Sequence, residues 1–272
     1  MMKFVKYQGT GNDFILLDGK DILGKDKDEV ARRVCDRKFG IGADGLLFAE
    51  KSEIADIKMN YYNQDGTIAT MCGNGLRCFG RHVHETGIVA KDNFTVETLA
   101  GVLKVSIKGS YKEIAIELGN QAYKLSYPNL SEEEVGKEKL ILEVNGRTYE
   151  MYVLFLGTLH GVVITNQEVS EDDASKLCHH QAFPKRINVN FVEVMDIENI
   201  SVKTYERGVG FTLSCGTGSG ASFVITEKLG LTGKEGNVHI DGGRLRVKTG
   251  NPVILTGPAV KIAEGEILDE EN

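Results

Sequence analysis

The chain has 272 residues, of which 41% are hydrophobic and 26% charged, as is typical of a globular protein. Its formal net charge of −7 argues against nucleic acid or an anionic membrane surface as a partner. No apolar run reaches the length of a membrane span, and five cysteines are an odd number for a secreted disulfide framework, so a cytoplasmic protein with reduced thiols is expected.

Most of the predicted elements are strands. Short β-branched or aromatic runs bounded by Gly, Asn or Asp predict strands, in chain order, over 3–7, 14–17, 46–49, 57–62, 94–98, 103–107, 113–117, 148–155, 162–165, 190–194, 200–205, 245–249 and 253–256. Helical periodicity covers 28–38, 75–85, 171–180 and 218–229. The second and fourth helices begin directly behind a glycine-rich turn and end near Gly87 and Gly230. The candidate domain junction is 127–131, which is followed by acidic residues.

Two glycine-rich segments, 71–75 and 214–218, share the pattern Cys-Gly-(Asn/Thr)-Gly. Their cysteines, Cys72 and Cys215, are separated by roughly half the length of the chain. The same offset relates Cys35 to Cys178 and Phe48 to Phe191, and a Gly-Thr-x-polar pattern recurs at 9–12 and 157–160. An internal repeat in the sequence indicates a repeated structural unit, and the period here has the length of a domain. The chain is therefore predicted to contain two similar domains.

Each of the two motif cysteines stands immediately before a predicted helix. The N–H groups at a helix N-terminus favour a thiolate there, and neighbouring glycines let backbone N–H groups approach an anion closely. Two such helix starts that face one point can hold a small carboxylate with its α-carbon between the thiols. One thiolate then removes the α-proton while the opposite thiol donates a proton to the other face.

Several motifs, taken in order, resemble those of the diaminopimelate epimerase family of pyridoxal-phosphate-independent amino-acid racemases. The resemblance covers nearly the whole chain, and its segments are residues 6–14, 40–45, 63–66, 71–78, 183–184, 188–191, 205–212 and 214–218. It implies an α+β fold with two pseudo-symmetric domains, each a β-barrel-like sheet around a central helix, and a site in the cleft between them. The expected domains are 1–122, to which about 262–272 returns, and 123–261.

The resemblance also assigns roles to individual residues. Cys72 and Cys215 match the two catalytic bases of the family. The residues that match the cradle for the substrate carboxylate are Gly73, Asn74, Gly216 and Thr217. The residues that match substrate-gripping positions, including contacts with the distant amino and carboxylate groups, are Asn12, Asn63, Asn190, Glu206 and Arg207. The resemblance implies neither a metal nor a cofactor, and the sequence contains no P-loop and no dinucleotide fingerprint.

The activity implied is inversion of an α-carbon, from LL-diaminopimelate to meso-diaminopimelate, for lysine and peptidoglycan synthesis. One loop departs from the family, because Gly157-Thr158-Leu159-His160 stands where Gly-Asn-Pro-His is usual. The missing Asn is expected to hold the distal carboxylate, so Thr158 either weakens that contact or marks a different substrate. A racemase of another amino acid, such as histidine, is therefore the alternative. His160 is either a substrate-side donor or a core histidine.

Functions of other classes stay open on the sequence alone. Cys72 and Cys215 could form a reversible disulfide in a thiol redox protein, or the chain could bind an amino acid without catalysis. The partner expected in the enzyme class is a small amino-acid substrate, and the resemblance is compatible with a homodimer. Glu206 and Arg207 are expected in a site loop rather than in a surface ion pair, because glycines follow them closely.

The remaining cysteines are expected to be structural. Cys35, Cys78 and Cys178 lie on helical patterns that contain no neighbouring glycine turn, which favours burial in the core. A metal site formed by Cys72 and Cys78 with His82 and His84 is disfavoured, because the spacing matches no common zinc pattern.

Overall fold

A computed structural model of the chain describes residues 2–126 and 128–268. These residues form two compact units: unit 1 takes in the chain up to Ile116 and again from Thr256, and unit 2 takes in Glu117–Leu255. Tyr127 of the predicted junction and residues 269–272 of the segment predicted to return to the first domain lie outside the described residues.

The described residues form four α-helices, a short 3-10 helix and many strands, so the α+β class is confirmed. The helices are α1 (Lys27–Cys35), α2 (Gly73–Glu85), α3 (Glu171–Cys178) and α4 (Gly216–Lys228), and the 3-10 helix is Gly19–Ile22. The strands are β1 (Met2–Gly9), β2 (Asn12–Leu17), β3 (Gly45–Glu50), β4 (Ile57–Asn63), β5 (Asn93–Thr98), β6 (Gly101–Ile107), β7 (Ile114–Gly119), β8 (Lys139–Val144), β9 (Arg147–Leu156), β10 (Thr158–Ile164), β11 (Asn188–Val194), β12 (Asn199–Glu206), β13 (Gly210–Thr212), β14 (Glu235–Ile240), β15 (Gly243–Lys248), β16 (Val253–Gly257) and β17 (Val260–Ile267).

Unit 1 is a mixed sheet that carries α1 and α2. β1 pairs antiparallel with β2 and also with β17, so a late strand completes the sheet that the first strand begins. Along the ladder, β2 and β3 are parallel, β3 and β4 antiparallel, β4 and β5 parallel, and β5 and β6 antiparallel. α2 packs on β1, β2, β3 and β6, and is therefore the central helix of this unit.

Unit 2 repeats this plan around α4. β9 pairs antiparallel with β8 and β10, β10 and β11 are parallel, and β11 and β12 are antiparallel. β12 then pairs parallel with β14 and antiparallel with β13, and β14 pairs antiparallel with β15. α4 packs on six strands, from β9 to β12 and on β14 and β15. Its buried residues lie on all sides of the helix, as expected for a helix at the centre of a core.

The repeat in the sequence is a repeat of structure. The first residues of α2 and α4 are separated by the same number of positions as Cys72 and Cys215, and so are their last residues. The two helices are therefore equal in length and correspond residue by residue. Cys35 and Cys178 are the last residues of α1 and α3, and Phe48 and Phe191 lie on the matching strands β3 and β11. Each unit has its own apolar cluster, with α1 packed in the first and α3 in the second. The predicted pseudo-symmetry is confirmed.

Four strands were not predicted from the sequence: β8, β13, β14 and β17. β14 contains Gly236 and Asn237, which have low strand propensity, but it is paired on both sides by β12 and β15. β17 is mostly exposed and so lacks an apolar pattern. The two central helices begin two residues earlier than predicted, at Gly73 and Gly216, because glycine has a low helix propensity and gave no signal for a helix start there.

Within residues 2–126 and 128–268, no helix combines the length and the apolar character that crossing a membrane requires.

Candidate active site

Both motif cysteines occupy the capping position of a central helix. Cys72 has an extended backbone, with φ −135° and ψ 126°, and α2 begins at the next residue, Gly73. Cys215 has φ −120° and ψ 107°, and α4 begins at Gly216. Neither thiol makes a capping hydrogen bond to its helix. The cysteines therefore occupy the position at which Ser or Asp usually caps a helix, but their side chains do not make the capping hydrogen bond.

The first turns of the two central helices are alike. The first intrahelical bonds run from Leu76 N to Cys72 O at 2.8 Å and from Ser219 N to Cys215 O at 2.9 Å. Residues before these donors have no carbonyl within the helix to which their N–H groups can bond. Together with the helix dipole, this makes each start a position that attracts an anion beside a sulfur atom. The residues predicted as a carboxylate cradle, Gly73, Asn74, Gly216 and Thr217, form these turns.

Asn12 contacts the sulfur of Cys72. Its side-chain nitrogen donates to Sγ at 3.7 Å, and its oxygen Oδ1 is buried without a partner among the described residues. Asn12 starts β2, directly after a tight turn in which Thr10 and Gly11 have φ values of 53° and 90°. An N–H group at this distance favours negative charge on sulfur.

Asn63 lies at the end of β4 in unit 1. Its side-chain nitrogen donates to Thr67 Oγ1 at 2.9 Å, and its backbone N–H donates to Thr67 O at 2.8 Å. These bonds close the turn that precedes the Cys72 segment. A substrate contact of Asn63 stays a prediction.

Cys215 has a carboxyl partner, Glu206, at the end of β12. Burial raises the pKa of Glu206 above its usual range, and hydrogen bonds from Thr212 and Cys215 together with the charge of Arg207 act in the opposite direction. Thr212 Oγ1 donates to Glu206 Oε1 at 2.7 Å. On its other side, the Cys215 sulfur lies 3.6 Å from Thr217 Oγ1. A thiol and a carboxyl of raised pKa in contact can pass a proton between them.

Arg207 is exposed, and three hydrogen bonds position it, one from its backbone and two from its guanidinium. Its backbone N–H donates to Asn188 Oδ1 at 3.0 Å, Nη1 donates to Lys185 O at 3.3 Å, and Nη2 donates to Thr158 Oγ1 at 2.7 Å. The Arg207 side chain is not held by an ion pair with Glu206, the arrangement that the sequence disfavoured, and Glu206 instead accepts from Thr212. Thr158, the departure from the family motif, is thus a direct partner of Arg207.

Asn190 and His160 form a fully buried pair beneath the start of α4. The Asn190 amide nitrogen donates to Gly161 O at 2.9 Å and contacts His160 Nδ1 at 3.2 Å, and its oxygen accepts from Thr204 Oγ1 at 3.0 Å. Nδ1 must be the acceptor, so the ring proton lies on Nε2, which has no partner among the described residues. Burial and the charge of Arg207 lower the pKa of His160 to about 3, so the ring is neutral.

The other three cysteines are buried, which confirms that they are core residues. Burial raises the pKa of Cys35 and Cys78 to about 12 and raises that of Cys178 as well, so these side chains stay protonated. In the part of the chain that the structure describes, no group of three or more His, Cys, Asp or Glu side chains is arranged to hold a metal ion.

Gly218, in the first turn of α4, is expected to tolerate no side chain. A methyl group there would overlap the Asn190 amide oxygen and would come within 3.2 Å of the Cys215 sulfur. Gly218→Ala should therefore lower the free energy of unfolding by about 1–3 kcal/mol, measured by urea denaturation. Gly233→Ala is the matched control, because its methyl group would meet only Ile197 O at 3.8 Å. Equal stability of the two variants would contradict the packing described here.

Sequence reasoning missed two residues that position the site. Asn188 anchors the backbone of Arg207, and Thr212 bonds to Glu206. Both residues lie in segments that match family motifs, but a sequence motif does not show which side chains contact one another. The burial of Arg77 was not predicted from the sequence either, because an arginine on a helical pattern is expected to face solvent.

Comparisons with known proteins agree on a family. The family model described as diaminopimelate epimerase matches residues 4–124 and 155–262. A diaminopimelate epimerase of Caldanaerobacter subterraneus subsp. tengcongensis is 42% identical, with 98% of this chain and 99% of the relative covered. One from Clostridium perfringens is 39% identical, with 98% and 100% covered. Among solved structures, a probable proline racemase from Agrobacterium radiobacter K84 with bound carbonate shares the fold, with a TM-score of 0.70, 14% identity, and 99% and 94% covered.

Proposed function

This chain belongs to the diaminopimelate epimerase family, and from that membership we propose that it inverts an α-carbon of diaminopimelate, interconverting the LL and meso forms. It is an isomerase of the epimerase and racemase class. The observation that carries the proposal is the matched pair of helix starts, each with a cysteine at the capping position and a glycine at the first helical residue. Such a pair supplies two thiols and two anion-attracting turns.

The different surroundings of the thiols support an assignment of their resting states. The Cys72 sulfur accepts a hydrogen bond from the side-chain N–H of Asn12, which favours the thiolate. Cys215 bonds to the Glu206 carboxyl, which favours the protonated thiol. In the proposed cycle, the Cys72 thiolate removes the α-proton from one face and the Cys215 thiol delivers a proton to the opposite face. The sulfurs exchange protonation states in each turnover, so the reverse reaction begins at Cys215.

The first turns of α2 and α4 are proposed to hold the carboxylate next to the reacting carbon. Their N–H groups would bond to its oxygens, and the helix dipoles would stabilise the negative charge that develops as the α-proton leaves. This electrostatic contribution is what allows a thiolate to act on a weakly acidic C–H bond.

Arg207 supports a substrate with a second carboxylate. Its guanidinium is fixed by Lys185 O and Thr158 Oγ1, yet remains exposed. A guanidinium held in this way is suited to a carboxylate. Thr158 would act by orienting Arg207 rather than by offering an amide of its own. A racemase of an amino acid with a single centre, such as histidine, is the second candidate, because this loop lacks the amide that the family usually provides.

The proposal is tested by α-proton exchange in deuterated buffer, followed by NMR with reductant present. The panel contains LL-diaminopimelate, lanthionine and the common L-amino acids, including histidine. We expect rapid deuteration of diaminopimelate with formation of the meso form. Exchange in histidine with diaminopimelate inert would establish the second candidate. Absence of exchange in every compound would contradict the two-thiol mechanism and leave a redox protein or an amino-acid binder.

The same assay, run on Thr158→Val, tests the distal contact. This change keeps the shape of the side chain and removes the acceptor for Arg207, so KM for diaminopimelate should rise about 5- to 100-fold while kcat changes less. Thr148→Val, which removes a hydroxyl bonded to Glu143 on an exposed part of β9, is the control and should leave both constants unchanged. An unchanged KM in Thr158→Val would show that Thr158 takes no part in binding.

We also propose a reducing compartment, the cytoplasm, because the cycle needs one thiol and one thiolate. Assembly as a homodimer stays a prediction.

A further inference from the structure

Arg77 on α2 is a buried cation that has no carboxylate partner among the described residues. None of its surface is exposed, although arginine is rarely buried completely unless it is paired with an acid. Nε donates to Pro258 O at 3.1 Å and Nη2 to Thr10 Oγ1 at 3.3 Å, whereas Nη1 has no partner among the described residues. The partners that the guanidinium does have are neutral oxygen atoms. Its charge is therefore left to act on groups nearby.

Cys72 caps the helix that carries Arg77, and Cys78 is the residue after Arg77, so the guanidinium charge acts on both sulfur atoms. Cys78 is fully buried and its pKa is raised to about 12, so it carries no negative charge near neutral pH. Cys72 lies at the capping position and is only partly buried. The other charged groups that act on the Cys78 sulfur are Arg81 on α2, which pairs with Glu85, and Asp13 on β2, which pairs with Lys6 and Arg37.

The guanidinium also lies against the turn that brings Asn12 to the sulfur. Thr10, which accepts from Nη2, is two residues before Asn12. The packing at the preceding residue is tight, because a methyl group on Gly9 would come within 3.1 Å of Nη2 and 3.3 Å of Asn74 O and would push one of them aside. Gly9 thus permits the close approach of the β1–β2 turn to the first turn of α2.

We propose that Arg77 is a positioning residue of the reaction: its buried positive charge stabilises the thiolate of Cys72, and its bond to Thr10 fixes the turn that carries Asn12. The inference rests on the proposed role of Cys72 as a base. It explains why an unpaired cation is retained in the core at a cost in desolvation.

The test measures alkylation of Cys72 by iodoacetamide as a function of pH, with the modified peptide quantified by mass spectrometry. Because only the thiolate reacts, the midpoint of the rate profile reports its stability. Arg77→Met and Arg77→Gln should each move the midpoint upward by about one pH unit or more. Arg77→Gln keeps an N–H donor for Thr10, so a shift in this variant isolates the effect of charge. Arg77→Lys, which retains the charge, should restore most of the native midpoint.

Arg81→Met is the matched control. Arg81 lies one turn further along α2 and donates to Ala259 O at 2.8 Å, next to the carbonyl that Arg77 uses. It differs in having Glu85 as a partner at 3.1 Å and a side chain that is 17% exposed. The midpoint should stay at its native value in this variant.

An unshifted midpoint in folded Arg77→Met or Arg77→Gln would overturn the proposal. If neither variant folds, Gly9→Ala takes their place, because it displaces the guanidinium and should shift the midpoint in the same direction; no shift there would also overturn it. Since alkylation needs no substrate, a shift in a protein that turns over no amino acid would uphold the role of Arg77 while rejecting the proposed function. Turnover of an amino acid without a shift of the midpoint would reject the role of Arg77 and uphold the proposed function.

Discussion

Cys72→Ala and Cys215→Ala are each expected to lower epimerisation by at least about 10²–10⁴-fold, because each removes one of two groups that must transfer a proton. The loss should appear in kcat, since neither thiol is proposed to bind the carboxylate. The thiol that remains can still remove and return a proton on its own face. Each single variant should therefore exchange deuterium into one configuration of the α-carbon without inverting it.

The two variants should be complementary. If Cys72→Ala exchanges only one configuration, Cys215→Ala should exchange only the other, and NMR in deuterated buffer with chiral chromatography measures both. Cys178→Ala is the control, because this buried thiol on α3 should affect stability and leave inversion intact. Full inversion in either Cys72→Ala or Cys215→Ala would contradict a two-base mechanism.

Glu206→Gln is expected to lower kcat by about 10²-fold in the direction that begins at Cys215, because an amide cannot take up the proton of Cys215 to leave the thiolate. Native turnover should also fall as the pH decreases toward the raised pKa of Glu206, since the protonated carboxyl no longer accepts from the thiol. This acid limb of the pH profile should be absent from the variant. Glu193→Gln, on an exposed position of β11, should show the native profile.

The same substitution should stabilise the fold at neutral pH. Burial raises the pKa of Glu206 in the folded state above the unfolded value of about 4.3, so the folded state holds this proton more tightly. The stability linked to that proton is present below the unfolded pKa and is lost as the pH rises through the folded pKa. Glu206→Gln should therefore have a higher Tm than the native protein at pH 7, and the two Tm values should converge near pH 4. A variant less stable at pH 7 would show that the ionised carboxyl supports the fold.

Much of the architecture could be predicted because it is repeated. The offset between Cys72 and Cys215 in the sequence is also the offset between α2 and α4 at both of their ends. The burial of Cys35, Cys78 and Cys178 could be predicted as well, since each lies inside a helical pattern, where a small apolar side chain is expected to face the core. Local pattern and tertiary packing agree at these positions.

Other features depend on neighbours that are distant in the sequence. β17 became a strand by pairing with β1, and its exposed residues carry no alternating pattern. Arg77 is buried because the turn at Thr10 and the carbonyl of Pro258 close over it. The bond from Arg207 to Thr158 spans 49 positions, so no local spacing indicates it. Contacts of this kind are fixed by the fold rather than by the residues next to them.

The pairing of β1 with β17 has a consequence for biosynthesis. Unit 2 contains all the residues of its own ladder from β8 to β15, so it can fold once they have left the ribosome. Unit 1 cannot close its sheet until Val260–Ile267 has been synthesised, although its first strand emerges before any other. During that interval β1 presents an unpaired edge, the kind of surface on which chaperones and aggregation compete. The half that is made first is therefore the half that matures last.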